Sequence, residues 1–271
     1  EFPADAGLTD VGTKRNEYKS YRVERSDGAD VTANYTFGEP VIGTLTVTPV
    51  AIELTANSAA KAYDGTPLTN GAVSVTPKGE GVGFVDGEGA SFDITGSQTN
   101  AGSSKNTFTY SLNEGTQSAN YEITQFEGDL TVNAITSPVV VTIVGDTKQA
   151  TYDGEEHTAE GYTFTSDNEL YTQDKVNFSG EAKAHRTDAG TTTMGLEDQF
   201  TNADTTNFKN VTFKVTDGSV QVDKAQVTLK SADLNKKYDG IALKNGGTAL
   251  ETESGFAKGE GAADKGISLA A

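Results

Sequence analysis

The sequence contains no cysteine, no tryptophan and only one methionine among its 271 residues. Without cysteine the chain cannot form disulfides, use a catalytic thiol, or hold an iron–sulfur cluster or a cysteine-type zinc site. Basic residues are also scarce, because 21 Lys and Arg face 39 Asp and Glu and the formal net charge is -18. Binding to nucleic acid requires clustered Lys and Arg that neutralise phosphates, so this composition argues against nucleic acid as a partner.

Long hydrophobic runs are absent as well. No stretch approaches the length of about 18 apolar residues that a membrane-spanning helix needs, so we expect no membrane insertion in this segment. Hydrophobic residues make up 35% of the chain, which suits several small domains better than one large core. The chain has instead 30 Gly, 38 Thr and many short alternating runs of Val, Ile, Tyr and Phe. This composition favours β-structure with many turns.

The tripeptide Tyr-Asp-Gly occurs three times, at intervals of 89 and 86 residues. Its copies are Tyr63-Asp64-Gly65, Tyr152-Asp153-Gly154 and Tyr238-Asp239-Gly240. The Asp side chain can bond its own backbone and Gly can adopt positive φ, so each copy is expected to close a tight turn. The preceding Tyr can lay its ring on the core while its hydroxyl stays at a wet rim. We interpret the tripeptide as a structural feature of a repeated module.

Three further motifs share this period of about 87 residues and the same order along the chain. An Asn or Asp stands two residues before a Gly at Asp10, Asn100 and Asp188. An Asn followed by an aromatic residue occurs at Asn34-Tyr35, Asn120-Tyr121 and Asn207-Phe208. A Gly followed by alternating apolar residues begins at Gly43, Gly128 and Gly218. Four landmarks with one period and one order indicate an internal repeat.

The order of the motifs predicts the module boundaries. Each Gly-x-apolar-x-Val segment is followed by a short joint and then by a new alternating run, which marks the start of the next module. Complete modules are therefore predicted at 49–134 and 135–223. Residues 1–48 carry the C-terminal half of a module, and residues 224–271 carry the N-terminal half.

Within the modules the apolar period is two, as in Ser91 to Thr95 and Tyr121 to Thr124. Such alternation predicts half-buried strands, and no stretch shows the spacing of an amphipathic helix. We predict an all-β fold class made of tandem small antiparallel β-modules, arranged as an elongated rod. Each module is expected to be an Ig-like sandwich or a β-grasp-like sheet.

The four motifs in register resemble the YDG and MBG repeats of bacterial surface proteins, and the resemblance covers essentially the whole chain. In that family, tandem copies form the stalks of secreted, cell-wall-attached adhesins, and some relatives are discussed as mucin- or glycan-binding. The resemblance therefore implies an extracellular location at a bacterial cell surface. The second complete module departs from the pattern most, since Ala150-Thr151 stands where the first has Lys61-Ala62.

The two histidines and the acidic loops are the candidates for catalysis and metal binding. His157 and His185 lie in one module without counterparts in the others, so we expect surface histidines and no enzyme activity. The loops Asp86-Gly87-Glu88 and Asn202-Ala203-Asp204 could supply oxygen ligands for calcium. They lack the EF-hand pattern and do not recur in every module. We therefore expect no cofactor, with calcium as the alternative.

Two functions remain open at this point. The first is structural: a stalk or fibre in which an acidic surface keeps long chains soluble and apart. The second is adhesive, with the aromatic side chains of Tyr162, Phe164 and Tyr171 exposed and stacked on mucin or other host glycans.

The two half-modules suggest a third hypothesis. Half-modules of this size are marginal and leave strand edges unpaired. We expect the tail half of one chain to complete the head half of the next, by polymerisation or by continuation of a longer polypeptide. The expected partners are identical subunits or neighbouring repeats, end to end.

Overall fold

The computed structural model of the protein describes residues 7–79, 81–231, 233–244 and 250–261, and the predicted half-modules 1–48 and 224–271 extend outside these ranges. The chain divides into two compact units, Glu1–Ala134 and Ile135–Ala271. This division coincides with the predicted boundary between the two complete modules. Within the described ranges, no helix has both the length and the apolar character needed to cross a membrane.

The first unit consists of short strands, joined by turns and by the 3-10 helices Thr32–Asn34 and Ser118–Asn120. Its strands are β1 (Gly12–Asn16), β2 (Gly43–Val47), β3 (Val50–Ala56), β4 (Ala59–Ala62), β5 (Val73–Pro77), β6 (Ala90–Ile94), β7 (Gly102–Asn106), β8 (Phe108–Leu112), β9 (Tyr121–Phe126) and β10 (Gly128–Asn133). Strands β1 and β2 form an antiparallel pair, and β3 to β10 form the complete module.

The complete module of the first unit contains two three-stranded sheets and one two-stranded ladder. The sheets have the orders β5-β3-β9 and β4-β10-β7, and the ladder joins β6 to β8. Strand β3 runs parallel to β9, and β4 runs parallel to β10. The first segment of the module, β3 and β4, therefore pairs along its length with the last segment, β9 and β10. Each segment leaves one sheet after its first strand and enters the other sheet with its second.

The core of this module follows from the alternation of β3. Ile52, Leu54 and Ala56 are buried on one face of β3 and pack with Phe108 and Tyr121. These last two residues come from the second half of the module, so the core is built from both halves. Side chains of this size each contribute about 1.5–3 kcal/mol when they are fully buried.

The second unit is also built from strands, with the 3-10 helix Gln173–Lys175. Its strands are β11 (Val139–Gly145), β12 (Thr147–Thr151), β13 (His157–Glu160), β14 (Tyr162–Ser166), β15 (Val176–Phe178), β16 (Lys183–Arg186), β17 (Gly190–Thr193), β18 (Phe200–Asn202), β19 (Val211–Thr216), β20 (Ser219–Asp223), β21 (Thr228–Ser231) and β22 (Leu250–Ser254).

The complete module of the second unit repeats the two three-stranded sheets of the first. Its three-stranded sheets have the orders β14-β11-β19 and β12-β20-β17, again with parallel β11·β19 and β12·β20 pairs. Two-stranded ladders join β13 to β16 and β15 to β18. On β11, Val139, Val141 and Ile143 are buried on one face. Strands β21 and β22 form an antiparallel pair that follows this module.

The sequence repeat reappears in the ladders as a constant register. In each copy, the Gly of the Asn/Asp-x-Gly motif lies opposite the last Val of the Gly-x-apolar-x-Val motif. The opposed pairs are Gly12 and Val47, Gly102 and Val132, and Gly190 and Val222. Two motifs that lie far apart in sequence therefore mark the same antiparallel ladder three times.

The predicted all-β class is confirmed, and the modules have a sandwich-like arrangement of small sheets. The parallel pairing of the first and last segments is an addition to the predicted antiparallel architecture. Alternation reports which residues face the core, but it carries no information on the direction of the neighbouring strand.

Candidate functional site

The three Tyr-Asp-Gly turns have the same geometry. The Asp side chain accepts a hydrogen bond from the backbone N–H two residues further on, at 2.9 Å for Asp64, 2.9 Å for Asp153 and 3.0 Å for Asp239. The following glycines, Gly65, Gly154 and Gly240, have φ of 79°, 82° and 78°. This left-handed conformation is one that side chains with a Cβ rarely adopt, which explains why glycine closes each turn.

A basic side chain lies against each of these carboxylates. Lys61 Nζ is 2.7 Å from Asp64 Oδ1, and Lys236 Nζ is 2.8 Å from Asp239 Oδ1. In the second complete module, where Ala150 replaces the lysine, His157 Nε2 lies 3.1 Å from Asp153 Oδ1. The hydrogen bond from Lys61 lowers the pKa of Asp64 to about 2. Each turn is therefore braced by local contacts.

The tyrosine that begins each turn extends the parallel ladder in the complete modules. The backbone N–H of Tyr63 donates to Asn133 O, and that of Tyr152 donates to Asp223 O, both at 2.8 Å. The third copy differs, since the Tyr238 residue is 97% exposed.

The Asn-aromatic motif shows the same contrast. Tyr121 and Phe208 are buried in the complete modules, whereas Tyr35 is 58% exposed. The Tyr121 hydroxyl donates to Glu88 Oε2 at 2.5 Å and accepts from the Val85 N–H at 3.1 Å. Burial and the hydrogen bond to Glu88 raise the pKa of Tyr121.

Two side chains join a complete module to the half-module beside it within each unit. In the first unit, Asn120 Oδ1 accepts from the Val11 N–H at 2.8 Å, and Asn120 Nδ2 donates to Asp10 Oδ1 at 2.9 Å. In the second unit, the Tyr152 hydroxyl donates to Glu260 Oε1 at 2.6 Å. This hydrogen bond to a carboxylate raises the pKa of Tyr152.

A cavity of about 340 Å³ accompanies the Tyr152–Glu260 contact, and its walls come from the second complete module and the half-module after it. Its lining includes Tyr152, Asp188, Lys224, Val227, Phe256 and Glu260. Acidic, basic and apolar side chains are therefore mixed at this contact between the two modules. Among the residues that the structure describes, no His, Ser or Thr lines this cavity.

The three aromatic residues predicted to contact glycans do not form one exposed surface. The prediction that Tyr171 is exposed is wrong: it is 1% exposed, and its hydroxyl lies 2.9 Å from Lys175 O and 3.0 Å from Asn202 Oδ1. Burial raises the pKa of Tyr171 to about 12. Tyr162 is half-buried against Phe178 and Phe200, and Phe164 is half-buried on β14.

The loops considered for calcium use their side chains within the module. Glu88 holds the Tyr121 hydroxyl, and Asn202 Oδ1 accepts from the Asp204 N–H at 2.9 Å. Asp204 in turn accepts from the backbone N–H of Asn207 at 3.1 Å and from its side chain at 3.0 Å. Among the residues that the structure describes, no group of three or more His, Asp or Glu side chains could hold a metal ion.

Sequence reasoning did not single out Asn106, which is buried at the end of β7. Its Nδ2 donates to Asn57 O and Asn70 O, both at 2.9 Å, while Oδ1 is buried without a hydrogen-bond partner. Glu260 was also missed. Its signal is the Lys-Gly-Glu-Gly sequence that occurs at 78–81 and again at 258–261.

Comparison with known proteins found no match to this chain among protein-family models, curated proteins or solved structures. The resemblance to the YDG and MBG repeats therefore stays a prediction.

Proposed function

We propose that the chain is a stalk-forming or fibre-forming repeat region of an extracellular bacterial surface protein. One observation supports this most: the same ladder, in the same register, occurs three times in one chain. The motifs that define the repeat lie in ladders, turns and joints, which is where a structural repeat needs them. The bacterial, cell-surface location rests on the resemblance of these motifs to YDG and MBG repeats.

The contacts between neighbouring modules and the negative charge of the chain are both consistent with a structural stalk. Asn120 bonds the turn of the half-module before it, and Tyr152 bonds Glu260 of the half-module after its own. Such contacts limit bending between neighbours within a unit. A net charge of -18 spread over repeated modules opposes lateral aggregation of neighbouring chains.

Small-angle X-ray scattering on the dilute monomer tests this proposal. A compact protein of this length has a radius of gyration of about 18 Å, and a linear array of its modules has a clearly larger one. A value near the compact limit would contradict a stalk.

The adhesive alternative is tested separately with a mucin and glycan array. Specific, saturable binding that Tyr162→Ala abolishes and Tyr171→Phe preserves would replace the stalk with an adhesive function. The absence of saturable binding supports the stalk.

A further inference from the structure

The two incomplete modules carry opposite halves of one complete module. Strands β1 and β2 repeat the β7·β10 ladder of the second half. Strands β21 and β22 correspond to the β3·β5 ladder of the first half. The distance to the Tyr of the turn fixes the equivalent positions: Leu229 stands nine residues before Tyr238, and Leu54 stands nine residues before Tyr63. Within the described residues, each half lacks the strands that the other half contains.

Strand β2 has one unpaired edge among the described residues. In the complete modules, β10 lies between β7 and β4, and β20 lies between β17 and β12, whereas β2 pairs with β1 alone. The missing parallel partner has a defined register. Lys61 lies opposite Val132 and Ala150 lies opposite Val222, and both stand two residues before the Tyr of the turn. The equivalent pair in the split module is Lys236 opposite Val47.

The segments that would complete these ladders are not strands in the structure. Residues 233–238 and 35–41 have no strand assignment, although their equivalents form β4 and β9. A strand requires a partner for its backbone groups, so the lack of strand structure in both segments fits the lack of the partner.

Apolar side chains are exposed at the matching positions. Tyr35 and Val227 are 58% and 47% exposed, whereas their equivalents Tyr121 and Ile52 are 8% and 0% exposed in the complete module. Ile52 and Tyr121 belong to one core cluster. The split module therefore exposes, on two separate segments, residues that form a core when the halves are joined.

Gly43 provides independent evidence. At the equivalent Gly128, a Cβ would lie 2.4 Å from Ala56 O, because the first segment of the module crosses there. At Gly218, a Cβ would lie 2.5 Å from Asp146 O. At Gly43 the nearest atom is Asn16 Cβ at 4.0 Å, so the space that the glycine leaves is open.

We propose that residues 225–238 of one copy of the chain insert into the incomplete module 7–48 of a second copy. Residues 234–237 then run parallel to β2 with Thr46 opposite Asn235, and residues 225–229 run parallel to 35–39. The inserting segment is basic in an acidic chain, since residues 225–238 contain three Lys and one Asp. The contact joins different surfaces of the two copies, so it propagates into open chains unless the rotation closes a ring. This inference rests on the tandem-module function proposed above and names its partner.

Engineered disulfides test the register, because the chain has no native cysteine. Thr46→Cys combined with Asn235→Cys places two thiols directly opposite each other on the exposed face of the ladder. Thr44→Cys with Asn235→Cys is the matched control: the thiols share the face, but their Cα atoms are about 8 Å apart, beyond disulfide range. With oxidised glutathione as the two-electron acceptor, we expect the first variant to form a ladder of dimers, trimers and longer species. Single variants form dimers at most.

Peptide mapping should locate the cross-link between positions 46 and 235 of different copies. Equal cross-linking in the test and control variants, or no ladder from the test variant, would overturn the proposal. Gly43→Ala in the test background fills the crossing space without touching either thiol. It should reduce the ladder at least about tenfold while the circular dichroism of the monomer stays unchanged. An undiminished ladder would also overturn the proposal. The scattering of the dilute monomer reports on the stalk independently of these results.

Discussion

Alanine in place of the first glycine of the Gly-x-apolar-x-Val motif should act differently in the three copies. At Gly128 a new Cβ would lie 2.4 Å from Ala56 O and 2.7 Å from Asn57 C, and at Gly218 it would lie 2.5 Å from Asp146 O. These are backbone atoms, which cannot rotate away. At Gly43 the nearest atom is 4.0 Å away.

The magnitudes follow from two opposing effects. None of the three glycines has positive φ, so alanine can adopt the native backbone conformation at each site. Gly-to-Ala then stabilises by about 0.4–1 kcal/mol through the unfolded chain. Overpacking against fixed atoms costs about 1–3 kcal/mol. Contacts this short with backbone atoms belong at the upper end of the overpacking range, so Gly128→Ala and Gly218→Ala should lose about 2–2.5 kcal/mol of unfolding free energy, and Gly43→Ala should lose none.

Hydrogen exchange in increasing urea measures the three sites separately. Exchange is followed over β10, β20 and β2 at a concentration that keeps the chain monomeric, so that each module reports its own opening free energy. Equal destabilisation by all three substitutions would refute the reasoning, as would a Gly128→Ala variant as stable as the parent.

Substitutions at three other residues give separate tests. Tyr171→Ala should lose about 3–5 kcal/mol of stability in urea unfolding because the Tyr171 ring is buried against Phe208. Tyr171→Phe, which removes only the hydroxyl, should lose about 1 kcal/mol. An unchanged urea midpoint for Tyr171→Ala would mean that the ring is exposed. Folding favours the neutral form of Tyr171, because its pKa rises from 10.0 to about 12 in the folded protein. The urea midpoint of the parent should therefore decrease as the pH is raised from 10 to 12. The midpoint of Tyr171→Phe should lack this decrease. Asp64, with its pKa lowered from 3.8 to about 2, stabilises the fold above pH 3.8 and loses this effect as pH falls toward 2. Asp64→Asn should remove that acid step from a pH series of thermal melts, and a persisting step would assign it to other carboxylates. Asn106→Ala should lose about 1–3 kcal/mol because Asn57 O and Asn70 O lose their donor, and full stability in urea would show that water replaces it.

Local chemistry made much of the fold predictable. Alternation predicted half-buried strands, and β3 buries Ile52, Leu54 and Ala56 on one face. The Asp and Gly of each Tyr-Asp-Gly copy supply a side-chain acceptor and a left-handed backbone. The period of the motifs placed the boundary at residue 134, where the chain divides into its two units.

The rest depends on contacts that are distant in sequence. The parallel pairing of β3 with β9 joins the two ends of a module, and no local pattern specifies strand direction. The burial of Tyr171 depends on Phe208, which lies in the last third of the same module. The same limit applies to Asn106, whose partners Asn57 and Asn70 belong to the first half of its module.

The central claim is that one module occurs in this chain three times, complete twice and split once. Amide exchange at the three equivalent tyrosines tests it most directly. The account predicts slow exchange at Tyr63 and Tyr152, whose N–H groups donate to Asn133 O and Asp223 O. Tyr238 should exchange fast in dilute solution and slowly once copies of the chain associate. Equal rates at all three tyrosines, at every concentration, would contradict the account.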